Sequence, residues 1–172
     1  DQPKYHADFL LNQNIGAPNV RYSVNTDAKL LLGPRYALLR SEFRAWSGWE
    51  RPVPEAARRV LVTLGGADPD NATLTVVETL GLVDVPNLEV RVVVGPANPH
   101  VDSILQAVRR IPGDFQVLSN VANMPEHMAW ANLAVAAGGS TWSELAFMGL
   151  PGLLFVLATN QVRVAVGMQD AG

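Results

Sequence analysis

Three stretches of the 172-residue chain combine glycine, hydroxyl, amide and carboxylate groups in a way that suits holding a polar ligand. The first is Gly65-Gly66-Ala67-Asp68-Pro69-Asp70-Asn71, between an apolar run and a segment of helical period. A glycine pair lets backbone approach a ligand, and a helix start presents N–H groups that favour anions. The same residues also make an ordinary strand-to-helix turn. Neither G-x-G-x-x-G nor G-x-x-x-x-G-K-[ST] is present, so a dinucleotide or ATP loop of those kinds is not indicated.

The second stretch, Ala136-Ala137-Gly138-Gly139-Ser140-Thr141-Trp142-Ser143-Glu144, puts another glycine pair at a helix entrance, now with two hydroxyls and a carboxylate one turn in. Backbone N–H groups of Gly139 to Thr141 and the hydroxyls of Ser140 and Thr141 suit a diphosphate without any Lys or Arg. Glu144 offers two acceptor oxygens in one plane, which match a ribose diol. The spacing Thr141-x-x-Glu144 is equally a capping box, with Glu144 folded back on the Thr141 backbone N–H. A carboxylate near a phosphate site repels it, so the ribose role requires an outward rotamer. The third stretch, Thr159-Asn160-Gln161, sets two neutral amides where a strand ends and a helix begins. They suit sugar hydroxyls, and Asn160 also suits a simple N-cap.

Other groups carry weaker signals. Asp68-Pro69-Asp70 has a D-x-D spacing that can hold a metal-nucleotide complex, but two carboxylates at a helix start are also common caps. His6, His100 and His127 show no metal-ligand spacing and no nucleophile context. Trp46 and Trp49 read as hydrophobic anchors. No metal and no cofactor is expected.

The elements that must position these groups alternate. From Val60 onward, short β-branched runs give expected strands at 60–64, 88–94, 115–118, 133–136 and 153–156. Between them Val101, Ile104, Leu105, Val108 and Ile111 form one apolar helix face. Asp70-Asn71 is expected to cap a helix ending near Gly81, Asn123 with Pro125 to open one to Ala131, and Gly139-Ser140-Thr141 to open one that stops at Gly149-Leu150-Pro151. The pattern predicts an α/β fold with a Rossmann-like, doubly wound parallel sheet, whose ligand lies at the carboxyl ends of the strands. Before Pro54 the alternation is missing. Strands are expected at 8–11 and 28–32, and 40–54, with Trp46-Ser47-Gly48-Trp49 and two prolines, resembles a linker. Residues 1–53 are thus expected to be the tail of a preceding domain plus a linker, and 54–172 a ligand-binding domain.

Composition narrows the classes. Hydrophobic residues at 48% against 17% charged supply a core and exclude a mainly disordered chain. A net charge of -3 offers no basic field for nucleic acid. The absence of cysteine excludes disulfides, thiolate catalysis and Cys-ligated zinc, and suits a reducing, cytoplasmic setting. The longest apolar run, 145–158, is interrupted by Gly149, Pro151 and Gly152 and falls short of the about 18 residues of a membrane span. The chain opens without Met or a leader-like pattern and is expected to begin inside a longer gene product.

These three stretches in this order, with Leu10-Leu11-Asn12-Gln13-Asn14, Leu32-Gly33-Pro34-Arg35-Tyr36-Ala37-Leu38-Leu39-Arg40 and Glu42-Phe43, resemble one family. The chain is similar to the carboxyl-terminal part of the PseG/SpsG group, UDP-sugar hydrolases of pseudaminic acid synthesis and related spore-coat polysaccharide proteins. The resemblance implies the carboxyl-terminal half of a GT-B architecture with a UDP-linked sugar as partner. It puts the diphosphate near Gly139, Ser140 and Thr141 and the ribose near Glu144. It puts the base against 120–124, including Asn123 and Met124, and the sugar near Gly65, Gly66, Asn160 and Gln161. Family members carry a catalytic His in a G-x-G-H-type loop of their first domain, and this sequence has no such loop. The catalytic residue is therefore expected outside this chain, which binds without turning over. A GT-B glycosyltransferase donor domain and a non-catalytic nucleotide-sugar-binding module are the alternatives.

Overall fold

In the computed structural model, which describes residues 4–25 and 27–171 apart from the side chains of Asn160 and Ala171, two short strands precede the main sheet. These are β1 (Phe9–Asn12) and β2 (Lys29–Leu32), which pair in parallel. The main sheet holds β3 (Arg59–Thr63), β4 (Glu89–Val94), β5 (Asp114–Ser119), β6 (Leu133–Ala137) and β7 (Gly152–Phe155). All of its pairings are parallel, in the order β5-β4-β3-β6-β7. The chain runs outward from β3 through β4 to β5, then returns to lay β6 against the other side of β3. Strand order thus reverses between β3 and β6, the crevice where an open α/β sheet takes its ligand.

Strand alternation explains why both faces are covered. Val60 and Val62 of β3 register with Val90 and Val92 of β4, and on one face they pack with Val76 and Val77 of α1 (Ala72–Leu80) and Ile104 of α2 (Val101–Val108). On the other face Leu61, Ala134 and Ala136 pack against Met124 and Met128 of α3 (Met124–Trp130) and Leu145 of α4 (Thr141–Phe147). The alanines of β6 leave room for those longer side chains. The final helix, α5 (Val162–Ala171), follows β7 through a 3₁₀ turn at Thr159–Gln161. This is the Rossmann-like α/β fold expected from the alternation, with strand bounds displaced by a residue or so. Helix α2 ends at Val108 rather than Ile111, because the Arg110 and Ile111 N–H groups both close onto the Ala107 carbonyl just before Pro112-Gly113. Ile111 nevertheless packs on the same core.

The linker-like segment is fastened to the sheet domain. Ser41–Trp46 forms a 3₁₀ helix whose Phe43 is 1% exposed, inside the core of the α3/α4 face. Trp46 and Trp49 pack edge to face at 5.0 Å against the same cluster, as anchors. Arg51 then donates to the carbonyls of Met128 at 2.7 Å, Ala131 at 2.6 Å and Met148 at 3.1 Å, which lie at the carboxyl ends of α3 and α4. A guanidinium suits this place, since several donors meet carbonyls that have no intrahelical partner at the negative end of two helix dipoles.

Candidate functional site

At the crossover crevice a cleft of about 540 Å³ opens on the carboxyl edge of the sheet. Thr63, Gly65 and Gly66 line it after β3, Gly95 and Pro96 after β4, and Asn120, Val121 and Met124 between β5 and α3. Ser140, Thr141 and Glu144 close one side, and Leu38 and Arg40 reach in from the amino-terminal segment. A neighbouring cleft of about 500 Å³ shares Ser140 and is lined by Gly138, Gly139, Trp142, Gln13, Asn14 and Arg35, among others. Of the residues singled out in the sequence, Gly65, Gly66, Met124, Ser140, Thr141 and Glu144 therefore meet in one cleft, and Gly139 lies in the next. Asn123 and Gln161 line neither cleft, and the Asn160 side chain lies outside the described residues.

Local geometry explains the glycines. Gly65 has φ +103°, a left-handed conformation that a side chain disfavours. Gly95 lies so close to the Gly66 backbone that a Cβ there would collide with it, so the turns after β3 and β4 approach each other only because residue 95 is glycine. A Cβ on Gly138 would sit 2.8 Å from Cβ of Gln161. Gln161 itself accepts from the Leu157 N–H at 2.8 Å, so its oxygen braces the turn after β7. Asn123 donates to Glu126 within its own helix start, and its Oδ1 is buried without a partner.

Several alternatives left open by spacing are decided here. Asp68 is buried and accepts from the N–H groups of Ala72 at 2.8 Å and Thr73 at 3.0 Å, so it caps α1 with both oxygens. Among the described residues, no group of three or more His, Cys, Asp or Glu is placed to hold a metal ion. Around α4, Ser140 rather than Thr141 occupies the N-cap, and no side-chain capping bond forms. The capping box is thus not made. Glu144, 8% exposed, turns to Arg40 instead, accepting from Nε at 2.8 Å and from Nη2 at 3.1 Å in a two-pronged pair. That hydrogen bond is the main reason the Arg40 guanidinium is held above its ordinary pKa, against an opposing effect of burial. Arg40 Nη1 also lies 3.2 Å from Glu42 Oε1.

Backbone donors at the second glycine pair are fewer than spacing implies. The Gly138 N–H donates to the Phe155 carbonyl at 3.1 Å and the Gly139 N–H to the Ala137 carbonyl at 2.8 Å. The donors left for a ligand are the Ser140 and Thr141 N–H groups with their two hydroxyls. The histidines stand elsewhere, and none lines either cleft. His100 Nε2 lies 3.1 Å from the Pro69 carbonyl. His127 Nδ1 lies 3.3 Å from Arg91, whose guanidinium stacks 3.9 Å from the Trp130 ring centroid. Burial, then the Arg91 charge, pushes the His127 pKa below its ordinary value.

Sequence reasoning assigned the cleft no cation, yet Arg40 is the one Lys or Arg among the described residues lining it. No spacing rule finds a partner 104 positions away. Gly95, which also lines the cleft, was not singled out in the sequence; its signal is a glycine directly after the β-branched run of β4.

No family model matches the chain. It is 26% identical over 168 residues to the spore coat polysaccharide biosynthesis protein SpsG of Bacillus subtilis (strain 168), covering 97% of this chain and 49% of that protein. The chain is distantly similar to SpsG. It is also 28% identical over 165 residues to the uncharacterized protein MJ1062 of Methanocaldococcus jannaschii, covering 92% of this chain and 34% of that protein. The chain spans about half of SpsG and about a third of MJ1062. At 97% coverage, the similarity to SpsG takes in the amino-terminal segment as well as the sheet. No helix among the described residues is long and apolar enough to cross a membrane.

Proposed function

We propose that residues 54–172 form the nucleotide-sugar-binding domain of an enzyme that acts on a UDP-linked sugar in surface polysaccharide or nonulosonic acid biosynthesis. Residues 1–53 would belong to a preceding domain and its linker, the parallel pair β1–β2 being part of a separate small sheet. The observation that carries this reading is the convergence of Gly65, Gly66, Met124, Ser140, Thr141 and Glu144 on one cleft at the point where strand order reverses. The polysaccharide role in SpsG's name supports the biosynthetic setting.

In this reading the N–H and hydroxyl donors of Ser140 and Thr141 receive the diphosphate, and the turn at Gly139, whose own N–H is spent on the Ala137 carbonyl, lets it approach the backbone. Glu144 accepts from the ribose hydroxyls. The base rests against Asn120, Val121 and Met124 of the 120–124 loop, and the sugar lies toward Gly65 and Gly66. The reaction is hydrolysis: water attacks the anomeric carbon or the phosphorus, the glycosyl phosphate linkage breaks, and UDP leaves. Fixed donors aimed at the diphosphate stabilise the charge that builds on it. A transferase with the same donor site is the second reading, favoured by SpsG's naming for polysaccharide biosynthesis, and differs only in a sugar or protein hydroxyl replacing water.

Calorimetry with UDP and UMP tests the site. UDP should bind about ten-fold more tightly, because the second phosphate gains charge-assisted hydrogen bonds. Equal affinities would remove the diphosphate assignment, and no binding of either would remove the nucleotide reading.

A further inference from the structure

Resting on that nucleotide reading, we infer that Arg40 is a positioning residue of the site, which cancels the charge of Glu144 and fixes its carboxylate aside from the phosphates. A nearly buried carboxylate in the cleft that holds Ser140 and Thr141 would repel a diphosphate if left unpaired. Folding back onto the start of α4 would remove its oxygens from a ribose, and it does not fold back. The fork from Arg40 achieves both requirements. It holds the carboxylate plane through Nε and Nη2 while each oxygen keeps a further lone pair for a sugar hydroxyl. Lysine cannot reproduce this, because a single ammonium lacks the planar fork.

Direct capture of phosphate by Arg40 is the competing role, and the charge count opposes it. The guanidinium already faces two carboxylates, Glu144 at 2.8 Å and Glu42 at 3.2 Å, so it has no charge to spare for an anion. Its place in the chain matters as well. Arg40 lies immediately before the 3₁₀ helix that buries Phe43, so a segment outside the main sheet controls the charge of a cleft at the carboxyl edge of that sheet.

The test is calorimetry of the wild-type chain, Arg40→Gln, Glu144→Gln and the double variant against inorganic pyrophosphate, uridine and UDP, with circular dichroism to check folding. Arg40→Gln should weaken pyrophosphate and UDP about ten-fold and uridine less, since an uncompensated charge acts on the phosphates. The double variant, with the carboxylate also neutral, should regain wild-type affinity for pyrophosphate. If the double variant stays as weak as Arg40→Gln while wild type binds UDP, Arg40 holds the phosphate itself and the inference falls alone. Unchanged pyrophosphate affinity in Arg40→Gln also overturns it. Should Arg40→Gln not fold, Arg40→Lys serves: pyrophosphate affinity should hold while uridine affinity drops several-fold, and equal losses for both would refute the positioning role. A wild-type chain that binds neither UDP nor pyrophosphate removes this inference together with the nucleotide reading.

Discussion

Glu144 shows how one carboxylate's role depends on who reaches it. Its sequence neighbours offer it a capping box, and its spatial neighbour Arg40 offers a charged fork; the fork prevails, because charge-assisted bonds exceed a neutral N–H contact. If the ribose assignment holds, Glu144→Gln should lower UDP affinity about ten-fold, since a charged acceptor contributes on the order of 1.5 kcal/mol. The amide oxygen can still accept from Arg40, so the circular dichroism spectrum should not change. Calorimetry that finds the UDP affinity of Glu144→Gln unaltered would leave Glu144 as a structural partner of Arg40 and nothing more. At this scale the sequence singled out Gly65, Gly66, Ser140 and Thr141 by residue type next to a strand end, and the fold brings these four into one cleft. It was silent on Arg40, whose partner lies 104 positions later.

The elements that frame the cleft are not self-sufficient. Helices α3 and α4 are seven residues each, too short to persist alone in water, so packing and end capping must hold them. Arg51 supplies part of that by tying both carboxyl ends to the amino-terminal segment, and burial lowers its pKa. Replacing it strands three carbonyls. Arg51→Ala should cost about 2 kcal/mol, the scale of a few charged hydrogen bonds lost at partly exposed sites, and Arg51→Lys should recover only a fraction. Urea denaturation reads both variants; an unchanged midpoint for Arg51→Ala would mean that water replaces the guanidinium without loss. The expected elements agree with those observed because β-branched alternation and glycine or proline stops act locally. The 40–54 segment reads as a linker by its prolines and glycine, whereas its aromatic residues decide where it docks.

Across the whole molecule, the described residues that line the cleft offer hydroxyls and backbone donors but no unpaired acid or base. Among the described residues lining it, Glu144 and Arg40 are the ionisable ones, and they are paired with each other. Binding ground state and transition state equally gives no acceleration, and general acid or base help needs a group in reach of the reacting atoms. This chain by itself should therefore not release UDP from a UDP-linked amino sugar above background, even at saturating substrate. A coupled UDP-release assay checks this. Ordinary enzyme kinetics that vanish on substitution of His6, His100 or His127 would show that the proton carrier lies within these 172 residues after all.

What the sequence determined by itself is the class of fold and the edge of the sheet on which both glycine pairs fall. Strand and helix periods are local, a parallel crossover is nearly always right-handed, and both glycine pairs follow β-branched or alanine-rich runs that must be strands. The tertiary structure alone decided which candidates share a cleft. Strand order put β6 beside β3, so Gly65-Gly66 and Ser140-Thr141 face one crevice, while Gln161 was drawn away to brace the turn after β7. It also decided the partners of the charges: Asp68 on α1, Arg51 on two helix ends and Arg40 on Glu144. Such pairings depend on distances between segments far apart in the chain, which residue type and spacing do not contain.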